Sequence, residues 1–517
     1  MELNRRDLLK AGLFGSAALA LPLERVARTK LALVNRLPQS QLPKPFTLPF
    51  ATPKELRPSD GFIDITEMSV RAEIIPGLQT EVWGYNGQVP GPTVVVKRGE
   101  PVVMRVRNKL PALHPTLRYV PHTSVHLHGS GSLPQYDGYA SDVTQPGEYK
   151  DYHYPNFQDA RTLWYHDHGV HNTAPNAYMG LAGLYLMHDE LEESLDIPHG
   201  VYDVPLVLKD AMFEKSGALI FDDHGQSSLF GDVILVNGVP WPTMKVERRK
   251  YRFRVLNACI SRSFDLTLDT GGPMTVIASE GGLYPAPQKV TSYRHGMAER
   301  YEIIIDFSDY HLNQRVVLTD KGLPNNIQYD NTQVLMAFDV VSEPTSTDGN
   351  SIPESLNPDS EAMKLLPTQA TATRQLDFIR KNGMWTVNGL IWDDVINSGF
   401  KDVVANPGLD AVEIWEFRNK SGGWFHPIHV HLIDFQILDR SGAPPFAWER
   451  GAKDTVYVGE SELVRVLARF GPNAGRYMIH CHNLVHEDND MMVQYEVGSG
   501  GPDPILAAPA KSISSLD

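Results

Sequence analysis

Hydrophobic positions along this chain recur with a period of two far more often than with a helical period. Val102, Met104 and Val106 alternate with Arg105 and Arg107, and Tyr251, Phe253 and Val255 alternate with Arg252 and Arg254. Successive side chains on a strand point to opposite faces, so both segments read as half-buried strands with an apolar and a polar face. Residues 413–419 and 462–470 read similarly. No stretch longer than about 12 residues keeps a helical period, which leaves helices as short connectors. The pattern predicts an all-β molecule.

The pattern also repeats. Asn86-Gly87, Asn237-Gly238 and Asn388-Gly389 stand 151 residues apart, and each is followed by a strand ending in Asn108, Asn257 or Asn419. Asn-Gly is a common turn dipeptide, and a further copy at Asn382-Gly383 falls outside the register. The spacing supports one β unit present three times, over residues 45–195, 196–345 and 370–505. Residues 346–369 lie in a stretch rich in Ser, Pro, Asp and Glu without periodicity and read as a linker.

Three units suit 517 residues at roughly 150 residues per domain. With 42% hydrophobic and 21% charged residues the chain can bury large cores and is not a disordered one. Its 47 Lys and Arg against 62 Asp and Glu give a net charge of −15, with no basic run beyond the N-terminus, which argues against nucleic acid as a partner. The N-terminus carries Asn4-Arg5-Arg6-Asp7-Leu8-Leu9-Lys10 before an apolar run from Ala11 to Leu21, too short to span a bilayer. With the small residues Ala18-Leu19-Ala20 after it, this segment resembles a twin-arginine export signal over residues 1–20. That reading makes the export machinery a partner and places the mature protein outside the cytoplasm, periplasmic or extracellular. No later apolar run is long enough for a membrane helix, so no membrane partner is expected for the mature form.

The candidate chemistry lies in the histidines. Ten of the 19 fall in four clusters: His126-Leu127-His128, His166-Asp167-His168, His426-Pro427-Ile428-His429-Val430-His431, and His480-Cys481-His482 with His486 and Met491 downstream. On a strand, residues i and i+2 face the same way about 6.5–7 Å apart, so each H-x-H unit presents two imidazoles to adjacent metal ions. Four such pairs supply eight nitrogen ligands at an interface between the first and third units. The same alternation puts Cys481 on the face opposite His480 and His482. With His426, His486 and a weak axial Met491 it completes a set suited to a blue-copper electron-transfer centre. Structural zinc prefers closed sites dominated by paired cysteines, and only Cys259 and Cys481 occur. Cys259 has no neighbouring histidine and reads as a small buried apolar residue.

These residues resemble the multicopper oxidases, through H-L-H-G at His126, W-Y-H-D-H at Trp164, H-P-I-H-V-H at His426 and H-C-H-N-L-V-H-E-D-N-D-M at His480. Within that family the likeness is to bilirubin oxidase and the bacterial spore-coat-type laccases. The resemblance implies three cupredoxin-like Greek-key β-barrels binding four coppers. His426, Cys481, His486 and Met491 would hold the type 1 ion, and His126 and His429 the type 2 ion. His128, His166, His168, His431, His480 and His482 would hold the type 3 pair, and the middle unit would act as scaffold and substrate wall. Electrons would enter at His426, pass to Cys481 and cross its backbone into His480 or His482. Dioxygen would be reduced to water by a small aromatic electron donor, a phenol, aromatic amine or bilirubin-like pigment.

Asp137 and Glu487 match acidic residues that similar enzymes place near the trinuclear site, where they would relay protons; the same residues would equally serve as turn caps or partners of an arginine. Trp424 matches an aromatic beside the electron-entry histidine that would stack on a planar donor, or simply pack the core. The 15 methionines do not concentrate in one segment, which disfavours a cuprous oxidase of copper tolerance, the runner-up reading. A copper electron carrier without turnover would need only the Cys481 site and not the eight histidines.

Overall fold

The computed structural model describes residues 32–516; the export-signal reading lies outside them. The strands form six sheets in three pairs. One sheet of the first pair runs Glu55–Leu56, Thr93–Lys97, Ala182–His188, Arg161–Asp167, Val125–His128. Its companion runs Thr80–Tyr85, Phe62–Ala72, Val102–Lys109, Glu148–Tyr154, with Lys511–Ser512 added at the edge. The middle pair is a seven-stranded and a five-stranded sheet built from strands between Asp203 and Ser342. In the third pair, Met384–Val387, Ala372–Lys381, Ala411–Asn419, Leu463–Phe470, Phe435–Arg440 face Thr455–Val458, His426–Val430, Gly475–Cys481, Met492–Val497. The chain is all-β, three cupredoxin-like units in sequence. The longest helix among the described residues, Thr173–Met179, has 7 residues.

Each pair of sheets closes on its own apolar core: Ile65, Trp83, Met104 and Leu127 in the first, Leu206, Phe253, Ile303 and Phe338 in the middle, Phe378, Trp415, Phe435 and Val466 in the third. The alternation read from the sequence is how these cores are filled. Val102–Lys109 buries every second side chain fully.

The 151-residue echo is a repeated set of hydrogen bonds. Asn86, Asn237 and Asn388 sit at φ of 52, 51 and 53°, each before a glycine at positive φ, the backbone that a two-residue Asn-Gly hairpin turn requires. Each asparagine Oδ1 accepts a strand N–H, from Thr66 at 2.8 Å, Val207 at 2.7 Å and Asp377 at 2.8 Å. The strand-ending asparagines repeat a second device. The Oδ1 of Asn108, Asn257 and Asn419 accepts the N–H two residues on, while each Nδ2 donates to carbonyls of the following loop. Three parallel strand pairs carry these residues in equivalent places, with Glu67 opposite Asn108, Leu208 opposite Asn257 and Phe378 opposite Asn419.

One expectation fails. Lys250–Asn257 is not half-buried: Arg252 and Arg254 are as buried as Phe253. Their face packs against the first unit, where Arg254 Nη2 binds Glu192 Oε1 at 2.8 Å and Arg252 pairs with the same carboxylate, while Glu302 of the neighbouring middle-unit strand binds Arg254 Nη1 at 2.9 Å and also pairs with Arg252. Alternation showed the polar face; that partners from another unit cover it does not follow from period two. Residues 346–369 are pinned to the middle and third units. Arg249 Nη1 donates to Ser346 O at 2.8 Å, Leu356 enters the middle core, and Gln436 Nε2 reaches Ala362 O at 2.8 Å.

Candidate metal centre

Four strands bring the histidine clusters together. His126 on Val125–His128 lies opposite His166 on Arg161–Asp167, and His429 on His426–Val430 lies opposite His480 on Gly475–Cys481. His168, His431 and His482 follow directly where their strands end. Within each H-x-H pair the imidazoles share a side, with ring centroids 5.4, 5.8, 4.7 and 5.4 Å apart for 126/128, 166/168, 429/431 and 480/482. The first and third units interlock ring by ring, His126 stacking on His431 at 3.9 Å and His128 on His429 at 3.6 Å.

Two sets of three imidazoles, His126/His128/His429 and His168/His431/His480, each bring a nitrogen apiece within 4.8 Å of the others. His168 Nε2 and His431 Nε2 both lie 3.1 Å from His480 Nε2. The Nδ1 atoms of His126, His166 and His429 face the carbonyls of Asp137, Asp167 and Asp454 at 2.5, 2.7 and 2.9 Å, and His431 Nδ1 faces Asp137 Oδ2 at 2.8 Å. Such contacts fix ring orientation and leave the opposite nitrogen free to ligate. The Nε2 atoms of His126, His128, His166, His429 and His482 are accordingly buried with no hydrogen-bond partner. Burial first, and neighbouring imidazoles second, hold His126, His431 and His482 well below the usual imidazole range. Burial brings His429 to about 3 and His168 to about 4. So many neutral, orphaned imidazole nitrogens in a dry site are costly unless cations use them, and the donor set fits copper.

Cys481 points the other way. Its Sγ lies 3.3 Å from His426 Nδ1 and 3.7 Å from His486 Nδ1, and the two Nδ1 atoms are 3.3 Å apart. Met491 is fully buried in the same core, its carbonyl accepting Cys481 N–H at 3.0 Å and its N–H donating to His486 O at 2.9 Å. Burial pushes the Cys481 thiol well up, so it ionises only with a metal's help. Both cysteines are free, and Cys259 is buried in the middle core. The helix Leu484–Asp488, capped by Asn483, carries His486 toward Cys481.

The two acids reach the histidine cluster. Asp137 contacts His126 and His431 as described, and burial pushes its carboxyl well above the usual range. Glu487 Oε2 lies 2.9 Å from His480 Nδ1 and Oε1 3.5 Å from His168 Nε2. Burial opposes its ionisation, but His480 and His168 outweigh it and hold the carboxyl below its usual range. Trp424 is half-buried and meets His486 and Trp385 edge-on, each at 5.5 Å.

Several residues here carry no signal in the sequence. Trp385 stacks on His486 at 3.7 Å, and Ser421 Oγ lies 2.7 Å from His426 Nε2. Asp454 and Arg300 stand behind His128 and His429. All four stand alone in the chain, outside any spaced motif; for Trp385 the Asn382-Gly383 turn before it marks a hairpin but not its target.

Fold and ligand sets together define a copper oxidoreductase built on cupredoxin units. Residues 68–192, 205–335 and 365–501 each match a multicopper oxidase family model. A bilirubin oxidase from Albifimbria verrucaria is 42% identical over 442 residues, spanning 82% of this chain and 74% of the relative. A laccase from Bacillus subtilis is 36% identical over 468 residues, spanning 80% and 89%. Among solved structures, the McoA multicopper oxidase of the hyperthermophile Aquifex aeolicus superimposes with a TM-score of 0.79 at 31% identity, covering 87% of this chain and 99% of that one. The chain belongs to the multicopper oxidase family, whose members are copper-dependent oxidoreductases with dioxygen as acceptor.

Proposed function

We propose that the chain is an exported oxidase of the laccase or bilirubin oxidase type, which takes single electrons from phenols, aromatic amines or bilirubin-like tetrapyrroles and reduces dioxygen to water. In this reading four coppers are bound. His426, Cys481, His486 and Met491 would hold the type 1 ion. His126 and His429 hold the type 2 ion, and His128, His166, His168, His431, His480 and His482 hold the type 3 pair. The observation that carries the reading is the strand end at His480-Cys481-His482, whose sulfur lies among one set of ligands while the flanking imidazoles lie in another.

Copper bound in these sets supplies one-electron redox chemistry at the cysteine and dioxygen binding among the histidines. The chain supplies the rest. The peptide bonds on either side of Cys481 join the two sets covalently. Ser421, half-buried, sets its Oγ 2.7 Å from Nε2 of the fully buried His426, at the edge where electrons would enter. Dioxygen needs four electrons and four protons to become two waters; Asp137 and Glu487 each touch two histidines of the cluster, the first inclined by burial to keep a proton on its carboxyl and the second, ionised, able to accept one. The middle unit reaches the cluster through Arg300, which packs 2.9 Å from His128 Nδ1.

Oxygen uptake with a dimethoxyphenol, bilirubin and cuprous ion as alternative reductants tests the proposal. Sustained uptake with the organic donors is expected. Uptake with cuprous ion alone would make the chain a metal-ion oxidase, and no uptake with any donor would make it an electron carrier; either overturns the reading.

A further inference from the structure

The middle unit carries none of the clustered histidines, yet one of its side chains reaches them. Arg300 opens the strand Arg300–Asp306 and is fully buried. Its guanidinium touches all three units. Nε donates to Thr162 O at 3.0 Å, on the strand that carries His166. Nη1 and Nη2 form a bidentate pair with Asp454 Oδ1 at 2.9 Å and Oδ2 at 2.7 Å, and Nη1 packs 2.9 Å from His128 Nδ1, whose ring faces the same carboxylate, Oδ2 at 3.4 Å. Asp454 in turn accepts His429 Nδ1 on its carbonyl at 2.9 Å. One cation thus fixes the residue that stands behind both His128 of the first unit and His429 of the third.

The surroundings are shaped for this contact. Gly129, next to His128, has φ of +90°, and a Cβ there would stand 2.5 Å from Arg300 Nη2 and 2.7 Å from Asp454 Oδ2. Lys453, beside Asp454, is held by Glu280 at 2.9 Å, Glu299 at 3.2 Å and Tyr301 at 2.9 Å, all from the middle unit. Buried ion pairs are poor sources of net stability, because desolvation offsets their attraction. A planar guanidinium bound bidentately is instead a strong directional constraint.

We propose that Arg300 is a positioning residue for the histidine cluster, making metal occupancy there depend on this one middle-unit side chain, whereas the Cys481 site, which the middle unit meets separately through Ser227 O at 2.8 Å from His486 Nε2, does not depend on Arg300. The inference rests on the reading that these histidines hold copper. His426, Cys481 and His486 all come from the third unit, and none is in hydrogen-bonding contact with Arg300. Loss of the guanidinium leaves Asp454 charged and unpaired behind two ligand rings, which then lose their fixed angle.

The test compares the full chain with Arg300→Met, Arg300→Lys and the charge-balanced double variant Arg300→Met/Asp454→Asn, all loaded with copper. Copper per chain and the paramagnetic resonance of the histidine-bound ions report the cluster; the visible band of thiolate-bound copper reports Cys481. Arg300→Met is expected to keep the thiolate band and to bind cluster copper about 10–100-fold more weakly, the usual effect of removing a partner behind a ligand. Arg300→Lys should recover part of it, since an ammonium can hold one oxygen of Asp454 but not both oxygens and Thr162 O together. Where Arg300→Met does not accumulate, the double variant is expected to show the same selective loss. Copper loading equal to the parent overturns the proposal, and so does a loss of band and cluster copper in equal proportion, which marks a general structural role. Failure of the underlying reading is separate: the unsubstituted chain would then bind no copper beyond that accounting for the thiolate band.

Discussion

Replacing Trp385 with Ala tests whether the aromatic packing around His486 orients this ligand. The indole is fully buried, stacks on His486 at 3.7 Å with planes 26° apart, and donates Nε1 to Gln226 O at 2.9 Å, tying a loop of the middle unit to the third. Truncating a buried tryptophan to alanine costs about 3–5 kcal/mol, of which the ring pair accounts for about 0.5–1.5 kcal/mol. Trp385→Phe keeps a ring over the imidazole and loses chiefly the hydrogen bond, worth about 0.5–1.5 kcal/mol. The two variants should therefore differ by at least about 1.5 kcal/mol. Copper adds binding energy to the folded state, so urea unfolding is followed on the copper-free chain, reading the shift in midpoint at constant slope. In the copper-loaded chain the thiolate band should weaken or shift for Ala and persist for Phe. An alanine variant within about 1 kcal/mol of the parent, with an unchanged band, would refute the idea that this indole holds His486 in place.

Three other outcomes follow from the geometry. Cys481→Ser should abolish the thiolate band and oxygen uptake with organic donors while metal analysis still finds copper on the histidines; a surviving band would assign it elsewhere. Glu192→Gln should destabilise the contact between first and middle units by about 3–5 kcal/mol at pH 7, because it leaves Arg252 and Arg254 short of a buried partner. Burial opposes ionisation of Glu192, but the two arginines outweigh it and hold the carboxyl well below the usual carboxylate range. Its stabilising effect is thus complete above about pH 4.5 and fades as pH falls toward the folded value, so parent and variant should converge in acid-unfolding curves. Gly138→Ala, at φ of +76° with a Cβ 2.5 Å from His126 Cα, should cost at least about 1–3 kcal/mol in backbone strain and lower copper retention; equal thermal unfolding of parent and variant would contradict it.

What the sequence made legible was whatever has a short period. Alternation on a strand tells that His480 and His482 share one side and Cys481 the other, because a strand leaves no alternative once the segment is extended. The Asn-Gly echo was legible because positive φ at both turn positions restricts the residue types to very few. Burial of Arg252 and Arg254 was misread for the complementary reason. A period of two separates faces but does not tell whether the polar one meets water or a charged surface from a different unit. Arg300, Asp454, Trp385 and Ser421 were invisible because each acts alone, through contacts spanning from 5 to more than 150 residues of chain.

The interfaces between units are consequently where the chemistry is decided. Each H-x-H pair needs only its own strand, but a cluster of eight imidazoles exists only if the first and third units meet in one register. Apolar contact alone would tolerate small slips. The buried charges that line these contacts, Arg252 and Arg254 with Glu192 and Glu302, Lys453 with Glu280 and Glu299, Arg300 with Asp454, do not. A slip of an ångström leaves a desolvated charge unpaired, a far larger penalty than the same slip between methyl groups. Functional constellations require placement to within about 0.5 Å. Paired charges supply that sharpness, and Lys511–Ser512, returning from the third unit to pair with the strand Glu148–Tyr154, adds a backbone tie between the third unit and the first.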